Sequence, residues 1–233
     1  MKVNFKNFFY AFVNFLYPNI CFICKSQIEE SGITRICNKC WSEITIINET
    51  FEEYKIKKQQ LLIFGIDDFF SLYLFEKEKK IQNIIHQLKY EQKTKFGFEL
   101  GKKIGEEVLK TKKIEADFLI PIPLHSLKLR ERTYNQSEMI AKGISFITKI
   151  PTNTKILYRR KNTQSQTHLN FEERQINVSD AFEIRNKKII ENKNIILIDD
   201  VITTGATIGE AAKELKKNGA KLIYAASSAL TQF

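Results

Sequence analysis

Long apolar runs are missing from this 233-residue chain, and no window approaches the ~20 residues that a membrane-spanning helix needs. Cysteine is scarce: all 4 copies lie between residues 21 and 40, which excludes a disulfide miniprotein. With 9 glycines, 4 prolines, no internal repeat and no low-complexity linker, the chain is not collagen-like. With 43% apolar residues it is not a disordered tail either. Arginine is rare as well. Only 7 of the 37 basic residues are Arg, and 5 of those fall between positions 130 and 174. Against 27 acidic residues the balance is +10, which suits anionic partners such as nucleic acid, phosphorylated metabolites or acidic lipid. A compositional bias toward Lys, Ile and Asn gives the same excess, so charge alone selects no partner.

Lys2 and Lys6 ahead of the apolar stretch 8–13 imitate a secretory leader, but Asn14 interrupts the run and no small-residue cleavage site follows. The pattern predicts a short amphipathic helix ending before Pro18, in a cytoplasmic protein with no membrane span. Cys21, Cys24, Cys37 and Cys40 then form two CxxC pairs twelve residues apart. Two such knuckles place four thiolates at the corners of a tetrahedron, the arrangement zinc takes. Four sulfur ligands leave no open position, so the expected metal is structural. A segment this poor in apolar runs needs the metal's binding free energy to fold. The predicted boundaries are 1–50 for the N-terminal helix and zinc-binding domain and 51–233 for the remainder.

In that remainder, strand candidates at 66–75, 118–120, 156–158, 194–198 and 222–226 alternate with helical spacings. The spacings are carried by Ile81, Ile84, Ile85 and Leu88, by Leu100, Ile104 and Val108, by Met139, Ile140, Ile144 and Ile147, and by the stretch 207–218. Alternation of this kind predicts an α/β fold with a parallel sheet and helices on both faces. Between Arg159 and Asp180 apolar residues thin out, which predicts a long loop of the lid or binding kind.

The most informative stretch is IILIDDVITTGAT, residues 195–207. A buried strand delivers Asp199 and Asp200 at its carboxyl end, where parallel sheets open their ligand crevice. The turn carries Thr203, Thr204, Gly205, Ala206 and Thr207 into a helix, so backbone N–H groups, hydroxyls and the helix N-terminus form a cradle for a phosphate dianion. The acids would repel that phosphate and must face neutral hydroxyls or a cation on the same ligand. A ribose 5-phosphate meets both demands. A nucleoside triphosphatase would need GxxxxGK[ST]; Gly101-Lys102-Lys103 lacks the leading Gly and the hydroxyl residue.

This stretch resembles the phosphoribosyl pyrophosphate (PRPP) motif of type I phosphoribosyltransferases, and with the four cysteines nearly the whole chain resembles the ComF family. The resemblance also rests on Leu88-Lys89-Tyr90, on residues 120–125 (IPIPLH), and on residues 129–136 (LRERTYNQ). Arg159, Thr163, Gln166, Leu169, Arg174 and Asn177, followed by Ala181-Phe182, complete it. It implies a phosphoribosyltransferase-like domain that binds PRPP with Mg²⁺, a pyrophosphate loop at 121–125 including His125, and a hood over 159–177. Arg130, Arg132, Asn135, Gln136, Arg159, Gln166 and Arg174 are then candidates for the leaving group. Arg is the side chain suited to bidentate phosphate recognition. The family usually has Gly where Thr133 stands. If that Gly served a positive φ, Thr133 would strain the turn by roughly 1–2 kcal/mol.

The resemblance implies a role in DNA uptake and natural transformation, and two functions follow. One is phosphoribosyl transfer (pentosyl transfer to an acceptor nucleophile), with Asp199 and Asp200 orienting the sugar. The other is a non-catalytic adaptor that binds single-stranded DNA beside a helicase-like uptake protein, with PRPP as regulatory ligand. Residues 116–233 carry 18 basic against 12 acidic residues, which suits the second.

Overall fold

A computed structural model describes residues 18–28, 36–76, 79–90, 94–111, 114–161 and 178–231. The helix expected before Pro18 and most of the hood, including Gln166 and Arg174, lie outside the described residues. The chain divides into two compact units, Met1–Ile44 and Thr45–Phe233.

In the first unit, residues 20 and 27 form an isolated antiparallel bridge around the first CxxC pair. The second pair opens helix α1 (Asn38–Ser42), where the Cys37 side chain accepts the Cys40 N–H as N-cap.

The second unit is built on a four-stranded, wholly parallel sheet in the order β1-β6-β5-β2. Its strands are β1 (Asp68–Phe75), β2 (Phe118–Pro121), β5 (Asn194–Ile202) and β6 (Leu222–Thr231). β3 (Leu157–Arg159) and β4 (Phe182–Ile184) pair antiparallel beside it. Among the described residues six α-helices accompany the sheet: α2 (Glu52–Ile63), α3 (Lys80–Tyr90), α4 (Thr94–Thr111), α5 (Ser126–Arg132), α6 (Gln136–Thr148) and α7 (Ala206–Lys217). The expected α/β fold is borne out. The apolar spacings fall where amphipathic helices need them: Ile81, Ile84, Ile85 and Leu88 of α3, Leu100, Ile104 and Val108 of α4, and Ile140 and Ile144 of α6 are all buried.

Two of the strands run further than their apolar cores suggest. β5 continues from Ile198 to Ile202 and β6 from Ala226 to Thr231: the two pair as far as Ile202 and Leu230, and Thr231 pairs with Phe75 of β1. Leu197 and Ile202 share one core although they are five residues apart, which strict alternation forbids. Residue 199 pairs with Ser227 and residue 201 with Ala229, in the same register as the rest of the strand pair.

Helices α4 and α6 meet backbone to backbone. A Cβ on Gly101 would lie 2.0 Å from the Ile140 carbonyl oxygen, and one on Gly143 would lie 2.0 Å from the Phe98 carbonyl oxygen. Only hydrogen fits at either position, so this crossing holds α6 where its first turn reaches the end of β5.

Candidate functional site

The buried run Ile195–Ile198 carries β5 through the core to Asp199 and Asp200, both half-buried at its carboxyl end. The Asp199 carboxylate accepts the Ser137 hydroxyl (3.2 Å) and the Asp200 N–H (2.9 Å). Asp200 accepts the N–H of Val201 at 2.8 Å. Burial pushes the Asp199 carboxyl up to about 7 and the charge of Asp200 adds to it, while the Asp200 N–H, the Ser137 hydroxyl and Arg159 pull the other way. A carboxyl held near neutrality at the mouth of a sheet is suited to receive hydroxyls or a cation.

Beyond the strand, Gly205 takes φ +82° and serves as N-cap of α7, while Thr204 Oγ1 accepts the Ala206 N–H at 3.3 Å. The first turn of α7 holds no acid and its last turn holds Lys216 and Lys217, which matches the helix dipole at both ends. Thr203, Thr204 and Thr207 remain half-exposed around this positive end.

Sequence reasoning missed Lys57. On α2 it is 2% exposed and donates to the Thr203 carbonyl at 2.6 Å and to Gln60 Oε1 at 3.0 Å. Burial pulls its ammonium down to about 8. A signal was present. Tyr54, Lys57 and Leu61 are the buried residues of α2 at helical spacing, so a lysine occupies a position that calls for an apolar side chain.

The remaining candidates divide by what they touch. Arg159, at the end of β3, has its guanidinium over the Phe182 ring, 5.5 Å from the centroid. Burial pulls that guanidinium down, Asp199 opposes this, and Arg132 reinforces it, so the charges of these three residues reach one another. Arg132 Nη1 donates to Gln136 Oε1 at 3.2 Å. Gln136 is buried, and its amide nitrogen has no partner among the described residues. Asn135 donates to the Ile122 carbonyl at 3.0 Å and accepts the Ser137 N–H at 3.1 Å, which ties the 121–125 loop to the start of α6. His125 N-caps α5 through Nδ1, accepting the Leu127 N–H at 3.4 Å. Arg130 is exposed on α5. Arg160 pairs with Glu183 at 3.9 Å on the surface.

Thr133 has φ +66° and closes α5 in the left-handed region, so this position does have the conformation that glycine favours. Thr133→Gly should stabilise the protein by about 0.5–1 kcal/mol, the relieved strain outweighing glycine's larger unfolded-state entropy. Urea unfolding checks this; a variant no more stable than the parent removes the strain.

In the first unit the Sγ atoms of Cys21, Cys24, Cys37 and Cys40 lie within 4.8 Å of one another. A tetrahedral site with Zn–S bonds of about 2.3 Å spaces its sulfurs about 3.8 Å apart, and Cys24 and Cys37 stand at 3.7 Å. The cluster fits one structural zinc.

A parallel sheet ending in paired aspartates and a threonine-rich loop before a helix defines a phosphoribosyltransferase-type fold. The chain belongs to the phosphoribosyl transferase domain family, whose sequence model matches residues 87–230, and residues 12–51 match the double zinc ribbon domain. Competence protein F of Haemophilus influenzae is 35% identical over 106 residues, 45% of this chain and 46% of the relative. Competence protein ComFC of Bacillus subtilis is 35% identical over 101 residues, 43% and 39%. DNA utilization protein YhgH of Salmonella typhi is 26% identical over 144 residues, 60% and 63%. The chain thus spans between about two fifths and two thirds of these relatives' lengths, and the ComF resemblance is borne out. Among the described residues no helix is long and apolar enough to cross a membrane.

Proposed function

We propose that the protein binds PRPP with Mg²⁺ at the carboxyl end of β5 and transfers its phosphoribosyl group in DNA uptake, its relatives being named for competence and DNA utilization. The observation that carries this reading is the sequence of Asp199, Asp200, threonine loop and α7 N-terminus along one exit from the sheet. The loop and the first turn of α7 hold the 5-phosphate; Asp199 and Asp200 take the 2- and 3-hydroxyls of the ribose. As the bond from carbon 1 to pyrophosphate breaks, carbon 1 gains oxocarbenium character and an acceptor nucleophile enters from the opposite face. Arg132 and Arg159 offset the charge of the departing pyrophosphate. Hard carboxylate oxygens fit Mg²⁺, which supplies further neutralisation of the leaving group.

With labelled PRPP, Mg²⁺ and a panel of nitrogen nucleophiles, the protein should release pyrophosphate only when an acceptor is present. Binding without turnover by any acceptor would count against transfer and favour the adaptor reading, in which PRPP regulates a cytoplasmic protein that binds single-stranded DNA beside a helicase-like partner. The +10 charge is compatible with that second reading but does not select it. Its own test is oligonucleotide affinity against salt: a steep negative log–log slope supports it, and a flat, millimolar curve removes it.

A further inference from the structure

The loop that carries the strand–loop–helix motif has a support outside the motif. α2 lies against it through a stripe of three side chains at helical spacing. Lys57 reaches the Thr203 carbonyl. Leu61 Cδ2 stands 2.9 Å from where a Cβ on Gly205 would be, and Phe64 Cγ, just past the helix, stands 2.5 Å from where one on Gly209 would be. The lysine stem therefore has little room to move, and 2% exposure puts its ammonium under the loop rather than in solvent.

The bond it makes has a directional consequence. In a planar trans peptide the C=O and the following N–H point in opposite directions, and no described peptide is cis. Drawing the Thr203 carbonyl down toward α2 turns the Thr204 N–H away from α2. The same peptide dipole lies between the ammonium and whatever sits on the loop, negative end to the lysine and positive end outward. Resting on the ribose-phosphate reading of this loop, we propose that Lys57 is a positioning residue of the 5-phosphate site. It aims the Thr204 N–H at the phosphate dianion and places a positive charge behind it.

The alternative is a lysine that merely satisfies a carbonyl. Calorimetry on the full chain with ribose 5-phosphate and, separately, with magnesium pyrophosphate distinguishes the two. Lys57→Met should weaken ribose 5-phosphate binding at least tenfold, leave magnesium pyrophosphate within about twofold, and unfold no earlier than the parent, since a buried charge has been removed. If Lys57→Met does not fold, Lys57→Gln, which can still donate to the carbonyl without the charge, should show a smaller loss confined to the same ligand. Unchanged ribose 5-phosphate affinity in the folded variant overturns the proposal, as does an equal loss of both ligands with earlier unfolding. A parent protein that binds no ribose 5-phosphate is a separate result: it removes the phosphoribosyl reading itself, and the role of Lys57 with it.

Discussion

Replacing Asp199 and Asp200 together by Asn should abolish PRPP binding and turnover while making the ligand-free protein more stable at neutral pH. The two effects share one cause. Burial, and then the charge of Asp200, lifts the Asp199 carboxyl to about 7, against about 3.9 in an unfolded chain. A carboxyl raised on folding contributes nothing adverse below its unfolded value, where both states are protonated. As pH rises from about 4 to about 7 the unfolded state ionises first, and stability falls through that window. Above about 7 the loss is constant. Because the residue is half-exposed, solvent screens the effect to about 1–2 kcal/mol, or about 3–6 °C in a chain of this size. Asn retains an acceptor for the Ser137 hydroxyl and the residue 200 N–H, so the fold should tolerate the change. Thermal scans at pH 4 and pH 8 measure it. A stability difference that does not grow across that window contradicts the electrostatic origin, and retained PRPP affinity contradicts the assignment of the sugar to these acids.

The second large effect concerns the metal. One zinc per chain is expected by metal analysis, falling to about none in Cys37→Ser or after treatment with a strong chelator. Zinc binding of this kind contributes about 10 kcal/mol or more to the folding of the segment that holds it. Among the described residues of the first unit few side chains are buried (Cys21, Ile36, Cys40 and Ile44), too few to replace it. Amide exchange at residues 18–28 and 36–44 should therefore reach the unprotected rate without the metal. Protection that survives chelation, or a metal-free chain as purified, would show that the four thiols hold the unit without zinc.

What could be read from the residues alone followed the range of the interaction. The strand–loop–helix around Asp199 is written in thirteen consecutive residues, and the cysteine cluster in twenty, so both were legible. Thr133 was suspect because the family it resembles usually has Gly there, and its φ of +66° is a purely local property. Lys57 was not found, because the bond that gives it meaning spans 146 positions and nothing near it in sequence announces the partner. His125 and Asn135 were candidates through the family resemblance. His125 caps α5, and Asn135 caps α6 and donates to the Ile122 carbonyl, bonds that depend on where those helices begin. Ser137, one residue past the 129–136 stretch, likewise passed unnoticed, since its acceptor sits 62 residues away. The order β1-β6-β5-β2 was also out of reach, because alternating strands and helices predict a parallel sheet without saying which strands are neighbours.

The crossing of α4 and α6 bears on Ser137. With carbonyl oxygens occupying the space where methyl groups would be, there is no side-chain cushion there for a neighbour to compress or for a second packing to exploit. Sliding α6 along its axis would drag α4 with it. The hydroxyl that steadies Asp199 is mounted six residues upstream of Gly143 on that same rod, so its reach is set by two hydrogen atoms serving as side chains.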